Sequence, residues 1–557
     1  MWRLALRGSK VNGKAVFRAP HLISIPALLS FGLTAIVIVV AWWWLGSPMP
    51  LPPSVLAPGE KLTCVSYAPF RGAQDPLVEG TRVSAEQIDE DLALLAKYTN
   101  CIRTYSVDDG RDDVLKSARR YGLKVMHGVW VSGDPERTRR QVEASIAYAK
   151  DYPDAIIAIV VGNEVLLRGE MTAANLIAVI REIKAHVAMP VTYADVWEFW
   201  LRYPDVQSAV DFVTIHVLPY WEDFPIPASR AAAHLVAIRN KVAAAFPGKE
   251  IVIGEYGWPS AGRMREDARP SPYDQARAIL DALAVAKTEN IRVNVIEAFD
   301  QPWKRALEGA VGGYWGIIDR ATGEPKFSFT GGFISNHPDW PLQALAGIIL
   351  AVLTFAAAIA GGRGKEFPAY RWAQIGALAL VPAVLAGWTI ETVLVESFSP
   401  GSWMRSLAFA AVSAVAPLVC AAGLAAGRRI PAFASLIGGE HRRADLLDWL
   451  LGGGLMALML VAVEAALGLV FDPRYRDIPF APLTAAMVPF LILLIATRRL
   501  DGTRAAAESV AGGAVALSAG YILFNETLAN WQSVWFCAGL LGLAAILLSA
   551  RDAPSSE

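Results

Sequence analysis

The long apolar runs of this sequence limit its fold more than any other feature. About 20 consecutive apolar residues suffice to cross a bilayer as a helix, and eight stretches approach or exceed that length. They cover 22–45, 341–361, 373–394, 404–427, 446–471, 480–497, 505–524 and 530–550. Of the 557 residues, 54% are hydrophobic and only 18% are charged, which is typical of a chain with much membrane content. The sequence therefore predicts an all-α polytopic membrane domain of eight helices, with a soluble region between the first two.

The first run is predicted to be a permanent anchor. It lacks charge and is longer than the roughly 7–15 apolar residues of a cleaved signal peptide. Residues 55–57 read VLA and resemble a cleavage site, but Pro58 follows them and should hinder processing. Trp42, Trp43 and Trp44 lie near its end, where an interfacial aromatic belt is expected.

Basic residues predict the orientation of these helices, because cytoplasmic loops are enriched in Lys and Arg. The short loops on one side of the membrane carry only Arg474 and Arg476. The N-terminal segment and the loops on the other side carry many more, namely Arg3, Arg7, Lys10, Lys14, Arg18, Arg363, Lys365, Arg371, Arg428, Arg429, Arg442, Arg443, Arg498, Arg499 and Arg504. We therefore expect both termini in the cytoplasm and residues 46–340 on the opposite side of the membrane.

Composition predicts six parts along the chain. They are a basic cytoplasmic N-terminus (1–21), a transmembrane anchor (22–45), a stiff Pro-rich linker (46–60), a soluble domain (61–335), a seven-helix transmembrane domain (341–550) and a cytoplasmic tail (551–557). The net charge of −1 gives no sign of a nucleic-acid partner, so membrane lipid is the surface that we expect the chain to meet.

Among the carboxylates in or near the membrane runs are Glu391, Glu464 and Glu508. An ionisable group inside a membrane is a candidate functional residue. Glu464 lies deepest in its run. The alternatives are a protonated carboxyl, one bonded to a neighbouring helix, or one that reaches an edge of the membrane, and the sequence names no partner.

Cysteine spacing argues against a zinc or redox motif, because Cys64, Cys101, Cys420 and Cys537 form no CxxC pair. Cys64 and Cys101 fall in predicted neighbouring strands of the soluble domain. They are either a disulfide, in an oxidising compartment, or two small buried apolar residues.

The soluble domain alternates strand-like and helix-like segments. The strand candidates are 62–67, 101–105, 123–131, 155–161, 190–195, 212–217, 250–254 and 293–299, and helical periodicity is clear over 84–98, 136–152 and 273–290. Eight β–α units in roughly 280 residues predict an α/β fold, a (β/α)8 TIM barrel. A doubly wound sheet would need a Gly-rich first turn, and this one reads SYAPFRGAQDP.

In such a barrel, active-site residues lie at the carboxyl ends of the strands. The predicted strand ends carry Tyr67, Arg103, Tyr105, Trp130, Asn163, Glu164, Asp195, Trp197, Tyr220, Glu255, Trp258, Glu297 and Trp303. Aromatic faces that stack on sugar rings, beside polar groups that bond hydroxyls, are typical of a carbohydrate site.

Two of these residues, Glu164 and Glu255, end the fourth and seventh strands and should face each other across the barrel mouth. A carboxyl separation of about 5–5.5 Å suits retaining glycoside chemistry and one of about 6.5–9.5 Å suits inversion. Glu164 follows an apolar strand, so we expect burial to raise its pKa and keep it protonated. Glu255 must stay ionised to attack a sugar, and we expect Arg103 and Tyr220 to be its hydrogen-bond donors.

VGNEV (161–165) and IGEYGWPS (253–260) resemble the acid/base and nucleophile motifs of glycoside hydrolase family 17, the β-1,3-glucanase family. IRTYS (102–106), HVLPYW (216–221), FDQPWK (299–304) and YWGIID (314–319) are also similar to that family, so the resemblance covers about 60–330. It implies Glu164 as the general acid/base, Glu255 as the nucleophile and Asn163 as a ligand of the sugar 2-hydroxyl. The residues implied to line subsites are Tyr67, Arg103, Tyr105, Tyr220, Trp258, Trp303 and Lys304.

One motif departs from the family pattern. Many members carry FDE where this chain has Phe299-Asp300-Gln301. No role is therefore transferred to Gln301, and either Glu297 or Glu308 could replace the missing carboxylate. The resemblance implies no cofactor and no metal.

The combination of this barrel with membrane helices resembles the membrane-attached, NdvC-like bacterial branch of the family. That resemblance implies a β-1,3-glucan transglycosylase of the bacterial inner membrane, with a periplasmic catalytic domain that forms β-1,6 linkages or branches in cyclic or branched glucan. An acceptor sugar would stack on Trp197, Trp221 or Trp303. A membrane-anchored β-1,3-glucan hydrolase and a non-catalytic glucan-binding or export partner of a membrane synthase stay open as alternatives.

Overall fold

The computed structural model describes residues 24–53, 56–57, 59–78, 80–108, 110, 112–437, 445–497 and 503–551. Pro58, several basic loop residues, the predicted cytoplasmic N-terminus and residues 552–557 of the predicted tail lie outside these ranges. The described residues form a barrel followed by a bundle of apolar helices, as the sequence predicts.

Eight parallel strands close the barrel in chain order, which confirms the predicted fold. They are β1 (Cys64–Ser66), β2 (Cys101–Arg103), β3 (Lys124–Val129), β4 (Ile156–Asn163), β5 (Val191–Val196), β6 (Val213–His216), β7 (Ile251–Tyr256) and β8 (Val293–Val295). Val65 of β1 pairs with Val295 of β8 and completes the ring.

Helices cover the outside of the barrel because each has one apolar face. They are α2 (Ala85–Leu95), α3 (Asp113–Tyr121), α4 (Pro135–Asp151), α5 (Ala173–Lys184), α6 (Trp197–Arg202), α7 (Ala228–Ala245), α8 (Pro272–Thr288) and the short α9 (Arg305–Glu308). Side chains at N-caps set several starts: Ser84, Asp134 and Ser271 each accept a hydrogen bond from the first turn.

The strand β4 is buried along most of its length, with only Ile157 among its apolar residues exposed. Its pairing with β5 shifts register between Val160 and Asn163. Gly162 (φ +86°) and Glu164 (φ +54°) take left-handed backbone conformations there. The apolar run therefore ends in a sharp turn that displays Asn163 and Glu164 at the barrel mouth.

A disulfide joins Cys64 of β1 to Cys101 of β2. Of the two alternatives that the sequence left open for these residues, the structure therefore has the disulfide and not two separate apolar cysteines.

Within the described ranges, eight helices are long and apolar enough to cross a membrane, and each coincides with one predicted run. They are α1 (Ile25–Leu45), α10 (Trp340–Gly362), α11 (Ala369–Glu396), α12 (Pro400–Ala426), α14 (Leu446–Phe471), α15 (Phe480–Thr497), α16 (Ala506–Glu526) and α17 (Trp531–Leu548), with the short α13 (Phe433–Ile437) between α12 and α14. These helices suggest a membrane-spanning region.

The first helix packs within this bundle. Trp42 is fully buried and its indole N–H donates to the carbonyl of Val384 in α11, at 3.0 Å. The aromatic belt therefore stays a prediction for Trp43 and Trp44, which are exposed, and is wrong for Trp42. Trp42 differs because it faces the neighbouring helices.

Each of the three membrane carboxylates has a neighbour in the structure. Glu391 accepts hydrogen bonds from Gln343 and from a ring nitrogen of His337, and Glu508 accepts one from the main chain of Phe433 at 2.6 Å. Glu464 is half exposed, with Arg405 4.0 Å away. Contacts between helices thus account for Glu391 and Glu508.

Candidate active site

The carboxylates of Glu164 and Glu255 come together at the barrel mouth. One oxygen of each lies within 4.8 Å of the other, and His216 is within the same distance of both. His216 ends β6 and is fully buried, with Nδ1 2.9 Å from Glu164 Oε1 and Nε2 3.6 Å from Glu255 Oε1. A single imidazole ring therefore separates and orients the two carboxylates.

Glu255 is buried and held by two donors. Arg103 Nη1 donates to its Oε1 at 2.7 Å, and the hydroxyl of Tyr105 donates to the same oxygen at 2.9 Å. Burial alone would raise the pKa of Glu255, but electrostatic attraction to His216, Arg103 and Lys304 and the Tyr105 hydrogen bond lower it below its usual value. Glu255 is therefore held ionised.

The expected donor Arg103 is confirmed and the expected donor Tyr220 is wrong. The hydroxyl of Tyr220 donates instead to the carbonyl of Arg263, at 2.9 Å. Tyr105, which the sequence predicts only as a sugar contact, takes its place because it follows β2 beside the same guanidinium.

The expected burial of Glu164 is also wrong, because its side chain retains 23% exposure. The apolar part of β4 supports the backbone, and the carboxylate emerges beyond it beside His216. The left-handed backbone at Glu164 costs on the order of 1–3 kcal/mol. Main-chain hydrogen bonds from Glu164 to Ala194 and from Arg168 to Glu164 hold it in that conformation.

Asn163 lies beside the two carboxylates. Its Oδ1 accepts a hydrogen bond from Arg103 Nη2 at 2.5 Å, which directs its amide nitrogen away from that guanidinium. Arg103 thus contacts both Asn163 and Glu255 and fixes one relative to the other. The nearby Trp130 is half buried, and the guanidinium of Arg168 lies 4.5 Å from the centre of its ring.

A second charged cluster consists of Glu297, Lys304 and Glu308. Burial raises the pKa of Glu297 to about 7, although Lys304 pairs with it and opposes the rise. Burial also raises the pKa of Glu308. Lys304 opposes this rise in pKa, whereas the negative charges of Glu164 and Glu255 increase it. Both carboxyls are therefore close enough to the site to affect its charge.

All the hydrogen bonds described for Gln301 are to other protein groups. Gln301 is buried, its Nε2 donates to the carbonyls of Ala68 and Phe299, and its Oε1 accepts from the indole of Trp303 at 3.0 Å. The amide therefore orients Trp303, which is half buried.

Four of the predicted sugar contacts are buried in packing. Tyr67 donates to Asp91, Trp258 donates to the carbonyl of Arg269, and Asp195 accepts from Tyr193. Tyr220, the fourth, packs against Trp258. Burial raises the pKa of Asp195 to about 6, and the charge of Glu164 adds to the rise while Tyr193 opposes it. These residues support the barrel mouth and do not line it.

Trp197 is half buried, and its position is set by neighbours on the barrel exterior. Its indole nitrogen is 3.3 Å from Glu222, and Lys241 of α7 lies over its ring. Of the predicted aromatic contacts, Tyr105, Trp130 and Trp303 are those that are half exposed beside the carboxylates or their loops.

Sequence reasoning missed His216 and Asn294. His216 is the next-to-last residue of the predicted strand 212–217, so the strand-end rule that selected Glu164 also applies to it. Asn294 lies inside β8, where its side chain donates to Ser66 Oγ and to the carbonyl of Gly254, both at 2.7 Å. No local pattern distinguishes such a buried amide from other strand residues.

Glu164, His216 and Glu255 could together bind a divalent cation, since their ligand atoms cluster within 4.8 Å. The positive charge of Arg103 on the same oxygen of Glu255 opposes a cation there. A metal-independent site therefore stays our prediction.

Comparison with known proteins finds glycoside hydrolase similarity in this region. Residues 64–316 match the BtgE/BtgC glycoside hydrolase domain. The chain is 27% identical to the probable glucan endo-1,3-beta-glucosidase btgC of Aspergillus fumigatus over 292 residues, which cover 46% of this chain and 41% of the relative. It is 27% identical to the glucan 1,3-beta-glucosidase of Schizosaccharomyces pombe over 243 residues, which cover 41% of this chain and 75% of the relative.

A solved structure is also similar, that of the glycoside hydrolase family 17 beta-1,3-glucanosyltransferase from Rhizomucor miehei. Identity is 24% and the TM-score is 0.43, with 49% of this chain and 98% of the other covered. The match spans about 41% of the length of the btgC relative, so the comparisons bear on the barrel. Residues 64–316, which contain all eight barrel strands and both carboxylates, are thus similar to a glycoside hydrolase domain of the BtgE/BtgC kind.

Proposed function

We propose that this protein is a retaining β-1,3-glucan transglycosylase. The observation that carries the proposal is the spacing of the two carboxylates, whose oxygens approach within 4.8 Å. This is close to the separation of about 5–5.5 Å that suits a covalent glycosyl-enzyme intermediate and leaves too little room for the water of an inverting enzyme. The names of the fungal relatives, which are glucosidases of 1,3-β-glucan, support the choice of substrate.

In this proposal Glu255 attacks the anomeric carbon and Glu164 protonates the leaving oxygen. Glu255 suits the first role because Arg103 and Tyr105 hold it as a carboxylate. Glu164 suits the second because it is partly exposed at the mouth, where it reaches both the leaving sugar and the incoming acceptor. It later removes a proton from that acceptor.

Asn163 is proposed to bind the 2-hydroxyl of the reacting sugar, and Tyr105, Trp130, Trp303 and Lys304 to line the subsites. Arg103 acts on the sugar through Asn163 and Glu255, which it positions.

Transfer is favoured over hydrolysis by the architecture. A glucanase that only degrades its substrate has no evident need for eight apolar helices, whereas an enzyme that remodels glucan at its point of export benefits from membrane attachment. By the resemblance to the bacterial branch, we propose an inner-membrane protein with its barrel in the periplasm, which forms β-1,6 linkages. The disulfide between Cys64 and Cys101 supports an oxidising compartment for the barrel.

The test uses the full chain in detergent micelles with laminari-oligosaccharides of defined length. We expect products longer than the substrate, and linkage analysis should find new β-1,6 bonds in them. Products that are only shorter would reject transfer and favour the membrane-anchored hydrolase.

Glu255→Gln should reduce activity by a factor on the order of 1000 or more, because the carboxamide cannot form the glycosyl ester. Glu182→Gln, on the exposed surface of α5, is the matched control and should leave activity unchanged. Full activity in Glu255→Gln would reject the site assignment. An inactive wild-type chain that still binds glucan would favour the non-catalytic alternative.

A further inference from the structure

The connection between α14 and α15 contacts the catalytic face of the barrel. Residues 472–479, here named the docking loop, follow the end of α14. The ring of Tyr475 lies 5.9 Å from that of Trp221, at an interplanar angle of 62°. Arg474 Nη2 donates to the carbonyl of Trp221 at 3.2 Å. Trp221 follows β6, the strand that carries His216, so the docking loop meets the barrel beside its active site.

The loop after β8 meets the docking loop as well. Gly309 has φ +73°, and a Cβ there would collide with the carbonyl of Tyr475. The main-chain N–H of Ala310 donates a hydrogen bond to the carboxylate of Asp477. Burial raises the pKa of Asp477 to about 6, and the positive charges of Arg405 and Arg263 oppose this rise. Gly309 directly follows Glu308, whose pKa is raised in part by the charges of Glu164 and Glu255. Tyr475 is therefore one backbone contact away from the charged cluster of the site.

A third loop, the one after β7, is fixed to the membrane helices. Arg263 is buried and pairs with Glu526 at the end of α16, and its Nη1 donates to the carbonyl of Arg476 at 3.0 Å. The main chain of Met264 donates to Gln532 Oε1 at 2.8 Å, and Asn530 donates to the carbonyl of Met264 at 3.2 Å. These contacts fix the docking loop relative to the strand that carries Glu255.

The aromatic side chains at this junction form a continuous surface. Trp221 stacks on Trp315, with ring centres 6.4 Å apart and planes 12° apart, and Tyr475 packs edge-on to Trp221. Trp315 is joined to the second charged cluster, because its carbonyl accepts a hydrogen bond from the main chain of Glu297 at 3.4 Å. Tyr475 is 37% exposed, whereas Trp315 is buried. The accessible end of this aromatic surface thus belongs to the docking loop.

Polar groups surround that accessible end. Arg474 and the highly exposed Asp223 lie 3.9 Å apart next to the Trp221 and Tyr475 rings. A pyranose ring presents an apolar face and a rim of hydroxyls, and an aromatic ring bordered by charged hydrogen-bonding groups complements both. We infer that Tyr475 binds a glucan residue at a subsite remote from the reacting bond, so that the docking loop completes the substrate cleft. This inference rests on the proposed function.

The test compares Tyr475→Ala with the wild-type full chain in lipid nanodiscs, using laminari-oligosaccharides of increasing length. We expect the KM for long oligosaccharides to rise about tenfold, because a stacking surface is lost. The kcat and KM for the shortest cleaved oligosaccharide should not change. Tyr475→Phe keeps the ring and should behave as wild type. Tyr370→Ala removes an exposed aromatic ring at the opposite end of α11 from the barrel and is the matched control.

Three results would overturn the inference. An active wild-type chain whose KM values are unchanged in Tyr475→Ala would reject the subsite alone. Equal losses on short and long substrates, accompanied by a lower melting temperature, would mean that Tyr475 serves packing only. A wild-type chain with no activity on glucan would reject the proposed function and the subsite with it.

Discussion

At the scale of single residues, the number of donors around each carboxyl sets its charge. Glu255 and Glu297 are both buried, yet their pKa values move in opposite directions. Arg103, Tyr105, His216 and Lys304 all favour the ionised form of Glu255 and lower its pKa. Glu297 has Lys304 alone as a positive partner, and burial raises its pKa to about 7. The same barrel mouth thus holds one carboxyl whose surroundings favour the ionised form and a neighbour whose pKa is raised by burial.

Tyr105→Phe tests this account of Glu255. The hydroxyl stabilises the charged carboxylate, so its removal raises the pKa of Glu255. A nucleophile must be ionised in the free enzyme, and the acid limb of the kcat/KM–pH profile should therefore move to higher pH. Above that limb the loss should be less than about tenfold.

The control for Tyr105→Phe is Tyr98→Phe, whose hydroxyl bonds Gly323 and Glu324 away from the site. Its pH profile should coincide with that of the wild type. An acid limb that stays in place, or moves to lower pH, in Tyr105→Phe would contradict the role given to this hydrogen bond.

At the scale of elements, the disulfide between β1 and β2 should stabilise the start of the barrel. It joins cysteines 37 residues apart, and the closure of such a loop contributes about 2–4 kcal/mol. Reductant should therefore lower the melting temperature of the wild-type chain. Cys64→Ala/Cys101→Ala should melt at the reduced value, with no further response to reductant. A wild type that melts identically with and without reductant would contradict this prediction.

Element types were predictable from sequence because they depend on local patterns. Apolar runs predicted eight long apolar helices, and alternating strand and helix periodicities predicted eight β–α units. The direction of side chains at strand ends was less predictable. Tyr67, Trp258 and Tyr220 follow strands just as Tyr105 does, but they point into packing between the barrel and its loops. The local turn decides this direction, and the turn depends on contacts that are distant in sequence.

At the scale of the whole molecule, the barrel face that carries Glu164 and Glu255 is turned toward the long apolar helices. Loops after β6, β7 and β8 all contact the docking loop or the start of α17. The pair of Arg263 and Glu526 spans 263 residues of sequence, so no local pattern could have indicated it. Under the proposed function, this arrangement would let the apolar helices shape the entrance to the site.

Glu526→Gln tests whether that arrangement matters for substrate binding. It removes the direct partner of a buried guanidinium and leaves Arg263 with the more distant charge of Asp477. Loss of the direct partner of a buried charge is strongly destabilising, so the melting temperature should fall by roughly 5 °C or more. The KM for long laminari-oligosaccharides should rise as in Tyr475→Ala, because the docking loop is no longer held beside Trp221. Glu143→Gln, in the exposed pair with Arg139 on α4, should change neither quantity. A lowered melting temperature with an unchanged KM would mean that the ion pair serves folding alone and that the membrane region does not shape the cleft.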